Sequence, residues 1–245
     1  MNEPVARRTF LMLGSGEFEA WVADAEHLAL AGATGDGSVV VLPTASATDG
    51  QEVFDRWARM GVEHYEAAGI TAHALPVKAR EDAMRDDFVG RVRDASMVFF
   101  SGGKPKHLAE VMDGTPLWSA VLASVARGGV YAGCSAGAMV ASQARDSEGA
   151  NDGRTGWTFG LGVLPHISFG VHWDKVRFVP GLRPFVMSRI PRGTWFVGID
   201  ERTAVLGDGS RWQVFGRGKA MVRHAKGTES YGAGDSFETI ASDER

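Results

Sequence analysis

The chain has 245 residues, 44% hydrophobic and 23% charged, which is enough to bury the core of one large globular domain. Its 26 basic and 30 acidic residues give a net charge of −4, which gives no reason to expect nucleic acid or an anionic membrane as a partner. Cys134 is the only cysteine, which excludes an intrachain disulfide and favours a reducing, cytoplasmic compartment. No apolar run approaches the roughly 18 residues of a membrane span.

The first half of the chain alternates short apolar runs with longer amphipathic ones. Strands are predicted at residues 9–13, 38–42, 70–75, 96–100 and 129–132. Helices are predicted at residues 18–31, 51–68 and 79–93, with a further helical stretch after residue 103. This alternation predicts an α/β fold, a three-layer sandwich in which helices cover both faces of a mostly parallel central sheet.

The run Gly-Cys-Ser-Ala-Gly at 133–137 lies between a predicted strand and a helix of small residues. A nucleophilic serine on such a sharp turn tolerates only glycine-sized neighbours, which is the reason for the Gly-x-Ser-x-Gly spacing. In a chain with 32 glycines the pattern alone is weak, and a glycine turn used only for packing is the alternative. The strand–helix setting favours Ser135 as a nucleophile, with the N–H of Ala136 facing the developing negative charge.

A second glycine turn, Ser101-Gly102-Gly103, follows the predicted strand 96–100. The backbone N–H of Gly103 could join that of Ala136 in an oxyanion hole, whereas an ordinary turn between strand and helix is the alternative. Lys104 follows, but the spacing of a phosphate-binding loop is absent.

The second half of the chain has a different sequence pattern from the first. Residues 145–156 are polar and glycine-rich and predict a long loop. Short runs at 195–199, 203–206, 211–215 and 220–224 predict antiparallel strands that finish the sheet or pack beside it. No interdomain linker is recognisable, so a single α/β hydrolytic domain is expected over residues 1–245.

Five motifs in this order resemble peptidase family S51, the serine peptidases that include aspartyl dipeptidase and cyanophycinase. They are the runs 42–46 (Leu-Pro-Thr-Ala-Ser), 99–103 (Phe-Phe-Ser-Gly-Gly), 133–138 (Gly-Cys-Ser-Ala-Gly-Ala), 160–165 (Gly-Leu-Gly-Val-Leu-Pro) followed by His172-Trp173, and 198–204 (Gly-Ile-Asp-Glu-Arg-Thr-Ala). The resemblance covers most of the chain. It implies a class I glutamine amidotransferase-like fold with added C-terminal antiparallel strands.

The resemblance also implies the residues of the site. Ser135 corresponds to the nucleophile, His172 to the general base and Glu201 to the acid that orients the imidazole. His166, in the same segment as His172, is the rival base. The third position is also open to Asp174 and to Asp152 in the long loop.

Two further residues have alternative interpretations. Cys134 stands one residue before the nucleophile, so it is interpreted as a buried structural thiol. Glu17 could approach the pocket from the end of the first strand, but an acid at a helix start is favoured. Lys104 stands where the family often has Asn, and no role follows for it.

The expected function is hydrolysis of a small peptide or isopeptide amide with an acidic feature, through a Ser-His-Glu triad and an acyl-enzyme. A non-catalytic or partner-dependent binding protein and an amidase for non-peptides are the alternatives.

No cofactor and no metal are expected, since no zinc or EF-hand spacing is present. Dimers occur in the family, so a homodimer is one assembly that the resemblance allows.

Cyanophycin cleavage is not predicted, because the arginines after the histidine of cyanophycinases do not align cleanly with residues 173–178. Basic residues that could bind a substrate carboxylate, or simply lie on the surface, are Lys104, Lys175, Arg177 and Arg183.

Overall fold

The computed structural model describes residues 8–142, 160–190, 193–225 and 227–240. The strands are β1 (Thr9–Leu13), β2 (Val39–Leu42), β3 (Ala72–Ala74), β4 (Met97–Phe100), β5 (Val130–Cys134), β6 (Ile167–Gly170), β7 (Trp195–Ile199), β8 (Thr203–Gly207), β9 (Arg211–Gly216), β10 (Lys219–His224), β11 (Gly227–Gly232) and β12 (Ser236–Glu238). The α-helices are α1 (Ala23–Leu30), α2 (Gln51–Ala67), α3 (Asp86–Asp94), α4 (Pro105–Met112), α5 (Pro116–Ala126), α6 (Ala136–Val140), α7 (Trp173–Val176) and α8 (Leu182–Ser188).

The larger sheet has eight strands in the order β12-β9-β8-β1-β5-β4-β2-β3. The five strands from β1 to β3 in that order are parallel, and their apolar, β-branched sequences suit strands that are buried on both faces. Strands β8, β9 and β12 extend the sheet in antiparallel pairing. The predicted mostly parallel sheet with added C-terminal antiparallel strands is confirmed.

The two faces of this sheet carry separate cores. Side chains alternate along each strand, so that Val40 and Leu42 of β2 lie in one core while Val39 and Val41 lie in the other. Helices α1 and α2 cover the second face, and helices α3 to α6 contribute to the core on the first face. The predicted three-layer sandwich is therefore confirmed.

A smaller sheet in the order β11-β10-β7-β6 packs on the same face as α3 to α6. Strands β6 and β7 are parallel, and the remaining pairs are antiparallel. Its other face is covered by α7 and α8 through Trp173, Val176 and Val186. The C-terminal strands therefore do both things that the sequence left open, since some finish the large sheet and others form a sheet beside it.

Several predicted elements have other limits in the structure, among them the strand predicted at 70–75, which is Ala72–Ala74. The helix predicted over 79–93 begins only at Asp86, because the Asp82 carboxylate accepts the N–H groups of Lys78 and Ala79 at 2.8 and 3.0 Å and holds a turn there. The helix predicted from residue 18 begins at Ala23, after a short 3₁₀ turn. The strand predicted at 129–132 continues to Cys134.

The predicted loop 145–156 and Asp152 within it lie outside the described residues. In the part of the chain that is described, no helix is long and apolar enough to cross a membrane.

Candidate active site

The predicted site residues follow the carboxyl ends of neighbouring strands. Ser135 follows β5 and Gly102 follows β4 in the large sheet, while His172 and Glu201 follow the paired strands β6 and β7 of the small sheet. Clefts at the carboxyl ends of strands are the usual location of sites in open α/β sheets. The end of β1 packs against this position as well, since a Cβ on Gly14 would lie 2.1 Å from the backbone oxygen of Asp200.

The turn that carries Ser135 leaves no space for side chains at its two glycines. A Cβ on Gly133 would lie 2.5 Å from the backbone carbon of Gly137, and one on Gly137 would lie 2.3 Å from the Phe100 oxygen. Ser135 itself has φ 48° and ψ −105°, and its N–H donates to the Leu13 oxygen at 3.0 Å. The two glycines are therefore required for packing around a serine whose backbone is strained.

The structure makes a stability prediction for this turn. Gly137→Ala is expected to destabilise the fold by about 1–3 kcal/mol, because its methyl group collides with backbone rather than with a flexible side chain. Gly90→Ala in α3 is the matched control, since the nearest side-chain atom to the added methyl group, Nη2 of Arg93, lies 4.0 Å away. That control is expected to be neutral or stabilising by up to about 1 kcal/mol. Thermal unfolding of both variants checks the prediction, and equal Tm values for the two would contradict it.

Ser135, His172 and Glu201 form a continuous hydrogen-bonded chain. The Ser135 hydroxyl lies 3.1 Å from Nε2 of His172, and Nδ1 of His172 lies 3.2 Å from Oε1 of Glu201. Because an ionised carboxylate only accepts, Nδ1 carries the proton and Nε2 is left to accept from the serine. The His172 and Glu201 side chains are 40% and 38% exposed, so this chain of contacts is open to solvent.

Backbone strain is concentrated around these residues. Among the described residues the non-glycine residues with positive φ are Phe18, Ser135, His172 and Arg202. Two of them are members of the Ser-His-Glu chain, and Arg202 directly follows the third member. Such conformations cost about 1–3 kcal/mol each and persist where the surrounding structure enforces them, which is common at functional sites.

The other acids near the third position have different partners. Asp174 Oδ1 accepts the backbone N–H of Glu201 at 2.9 Å, so Asp174 supports Glu201 rather than His172. Lys175 Nζ lies 3.5 Å from Asp174 and 3.6 Å from Glu201 Oε2. Asp200 accepts the N–H of Lys219 at 3.0 Å, and burial raises the pKa of its carboxyl.

The rival histidine lies elsewhere. Nε2 of His166 donates to the backbone oxygens of Gly209 and Thr239 at 3.0 and 3.1 Å, which ties the start of β6 to the β8–β9 turn. The His166 backbone oxygen also accepts the N–H of Trp195 at 2.9 Å, so His166 lies among main-chain groups that join strands rather than beside Ser135.

The second glycine turn lies directly beside the nucleophile. A Cβ on Gly102 would lie 3.4 Å from Cβ of Ser135. Gly103 has φ 142°, and the N–H of Lys104 donates to the Ala45 oxygen at 2.7 Å. Among the described residues no acceptor is present for the N–H of Gly103 or of Ala136, so both remain available for an oxyanion. Nζ of Lys104 pairs with Asp49 at 2.9 Å.

Glu17 and Cys134 meet beneath this turn. Cys134 is fully buried, as predicted, and its sulfur lies 2.8 Å from Oε2 of Glu17. Burial and the neighbouring Glu17 carboxylate raise the pKa of the Cys134 thiol well above its usual value, so the thiol stays protonated. The expectation that Glu17 starts a helix is wrong, because α1 begins only at Ala23 and Glu17 is buried.

The described residues contain no group of three or more His, Cys, Asp or Glu side chains that could hold a metal ion.

Comparisons with known proteins agree with this architecture. The model of peptidase family S51 matches residues 10–215. The cyanophycinase of Synechococcus elongatus is 27% identical over 196 residues, which cover 76% of this chain and 58% of the relative. The cyanophycinase of Nostoc sp. PCC 7120 is 27% identical over 195 residues, which cover 75% of this chain and 62% of the relative. The chain thus spans about three fifths of the length of these relatives.

Two solved structures are similar over nearly the whole chain. A peptidase from an acI-B1 Actinobacterium superposes with a TM-score of 0.85 at 29% identity, covering 96% of this chain and 98% of that one. A peptidase E candidate from Listeria monocytogenes EGD-e superposes with a TM-score of 0.57 at 16% identity, covering 92% and 98%, and this likeness concerns the fold alone.

Proposed function

The chain belongs to peptidase family S51, and from that premise we propose that it is a serine peptidase that hydrolyses a small peptide or isopeptide amide. The observation that carries the proposal is the contact of Ser135 Oγ with His172 Nε2 at 3.1 Å, continued to Glu201 at 3.2 Å. A hydroxyl bonded to an imidazole that a carboxylate orients is the arrangement that serine hydrolases use on unrelated folds.

Acylation begins with attack of Ser135 Oγ on the amide carbonyl carbon. As the new C–O bond forms, the hydroxyl proton moves to Nε2 of His172, and the carbonyl electron pair moves onto oxygen. The resulting oxyanion accepts hydrogen bonds from the N–H groups of Gly103 and Ala136. The C–N bond then breaks, and the amine leaves with the proton that His172 held.

Deacylation repeats these steps with water. His172 takes a proton from the attacking water, the same two N–H groups hold the second oxyanion, and the proton returns to Ser135 as the ester bond breaks. Because the His172 side chain is partly exposed, the attacking water can reach it from solvent.

Glu201 orients the imidazole and stabilises it when it becomes positively charged. Replacement by glutamine keeps the shape but allows the wrong tautomer of His172, since the amide NH₂ can donate to Nδ1. We expect Glu201→Gln to lower kcat by about 10²- to 10⁴-fold with little change in Tm, the upper figure being that of a buried equivalent in another enzyme. Asp49→Asn, which removes an exposed carboxylate that pairs with Lys104 in the described structure, is the control and should retain full kcat. Steady-state kinetics test this, and an unchanged kcat in Glu201→Gln would contradict the assigned role.

The proposed substrate is a small peptide or isopeptide with an acidic feature. The acidic feature is proposed because the sequence resembles a family that includes aspartyl dipeptidase, and cyanophycin itself is not proposed. Of the basic residues, Lys104 and Lys175 are paired with carboxylates. Arg177 and Arg183 lie over the rings of Phe178 and Trp173, 4.7 and 5.5 Å from the ring centres.

A panel of small substrates tests the proposal. It contains dipeptides with N-terminal aspartate, β-aspartyl isopeptides, the same compounds with asparagine in place of aspartate, and simple non-peptide amides. We expect the protein to release amine from an aspartyl compound faster than from its asparagine counterpart, with Ser135→Ala protein as the background. If only the non-peptide amides are hydrolysed, the protein is an amidase rather than a peptidase. If no compound is hydrolysed, the result favours a non-catalytic protein. Sedimentation of the same preparation tests the homodimer, which stays a prediction.

A further inference from the structure

We propose that Glu17 is a positioning residue that holds the Ser101–Gly103 turn against the nucleophile strand and thereby fixes the oxyanion hole. The inference rests on the proposed serine hydrolase function and adds a residue that the Ser-His-Glu chain does not include.

The Glu17 carboxylate is buried and uses both oxygens. The residue is only 6% exposed. Oε1 accepts the backbone N–H of Gly102 at 2.8 Å, and Oε2 accepts the thiol of Cys134 at 2.8 Å. In the described part of the chain no Lys, Arg or His forms an ion pair with it. A carboxylate buried without a cation is costly, so its hydrogen bonds must compensate for the lost water.

These two bonds join the two halves of the proposed oxyanion hole. Gly102 precedes Gly103, and Cys134 lies two residues before Ala136, so each proposed donor lies within two residues of a group that Glu17 binds. The bond from the N–H of Gly102 fixes the plane of the Ser101–Gly102 peptide, which directly precedes the Gly102–Gly103 peptide that carries the proposed donor. On its other side Gly103 is held by Ala45, whose carbonyl accepts the N–H of Lys104 at 2.7 Å.

The surroundings leave the carboxylate little freedom. Phe18, which follows Glu17, has φ 63°, and its ring packs 4.8 Å from that of Phe99 in β4. A Cβ on Gly102 would lie 3.1 Å from Oε1 of Glu17 and 3.4 Å from Cβ of Ser135. The carboxylate, the glycine turn and the nucleophile therefore pack in contact, and a displacement of the carboxylate would shift the turn.

The test is the second-order rate constant for labelling by a fluorophosphonate, whose phosphoryl oxygen needs the same donors as an oxyanion. Glu17→Ala is expected to slow labelling by about 10²- to 10³-fold, the effect of losing one oxyanion donor. Glu17→Asp keeps the charge but is one methylene shorter, so it cannot reach Gly102 and Cys134 together and should also be slow. Glu17→Gln keeps an oxygen acceptor for Gly102 and should stay within about tenfold of the wild-type rate.

Glu26→Gln is the matched control, because Glu26 is a buried glutamate whose hydrogen bonds to described residues go to His64 and Tyr65 on α2 rather than to the site. It should lower Tm without changing the labelling rate. Wild-type labelling rates in Glu17→Ala and Glu17→Asp would overturn the inference, and so would a Glu17→Gln protein as slow as Glu17→Asp. Failure of the wild-type protein to be labelled would instead overturn the proposed function itself.

Discussion

Ser135→Ala is expected to lower kcat for peptide hydrolysis by about 10³- to 10⁶-fold while the protein stays folded. The substitution removes the attacking oxygen and its 3.1 Å contact with His172, but leaves the two glycines of the turn in place. Since alanine occupies the same strained backbone region as serine, no large gain or loss in Tm is expected. Initial rates on the best substrate of the panel, with circular dichroism as the check on folding, measure the effect.

The control for this variant is Ser119→Ala in α5. Within the residues that the structure describes, the Ser119 hydroxyl bonds only to the Thr115 oxygen one helical turn earlier, so its loss should leave kcat unchanged. A Ser135→Ala protein that retains more than about a tenth of the wild-type kcat would show that the nucleophile is another group.

His172→Ala is expected to reduce kcat by about 10³-fold or more, because no other base contacts the Ser135 hydroxyl within the described residues. The matched control is His166→Ala. Nε2 of His166 bonds to two backbone oxygens, so that variant should lower Tm and keep kcat for the fraction that is folded. The reverse result, activity lost with His166 and retained without His172, would exchange the roles of the two histidines.

The central sheet was predictable from the sequence because its strands are short apolar runs. Strand β1 has the predicted limits, and β2 and β4 differ from the prediction by one residue at their start. Strands β6, β11 and β12 were not predicted. Strand β11 reads Gly-Thr-Glu-Ser-Tyr-Gly and is mostly exposed, so its pairing with β10 rather than its composition makes it a strand.

The site was predictable to different degrees. The Ser135 turn has a local signature, since steric contacts within a few residues require its glycines. His172 and Glu201 carry no such signature and were assigned by resemblance. They meet because β6 pairs with β7 in a second sheet, a long-range event that no short motif encodes.

The position of Glu17 also depends on long-range strand pairing that the local sequence does not indicate. It follows Gly-Ser-Gly at the end of β1, where an acid at a helix start is the ordinary interpretation. Its burial arises from β1 pairing with β5, which places its carboxylate between Cys134 and the turn that follows β4. The informative signal was therefore an acid at the end of a buried strand that lies next to the predicted nucleophile strand. Recognising this signal from the sequence would have required knowledge of the strand order.

Fluorophosphonate labelling followed by intact mass measurement and peptide mapping tests the central claim most directly. We expect a single adduct on the wild-type protein, located on Ser135, and none on Ser135→Ala under the same conditions. An adduct on another residue, or equal labelling of the two proteins, would contradict the assignment of Ser135 as the nucleophile.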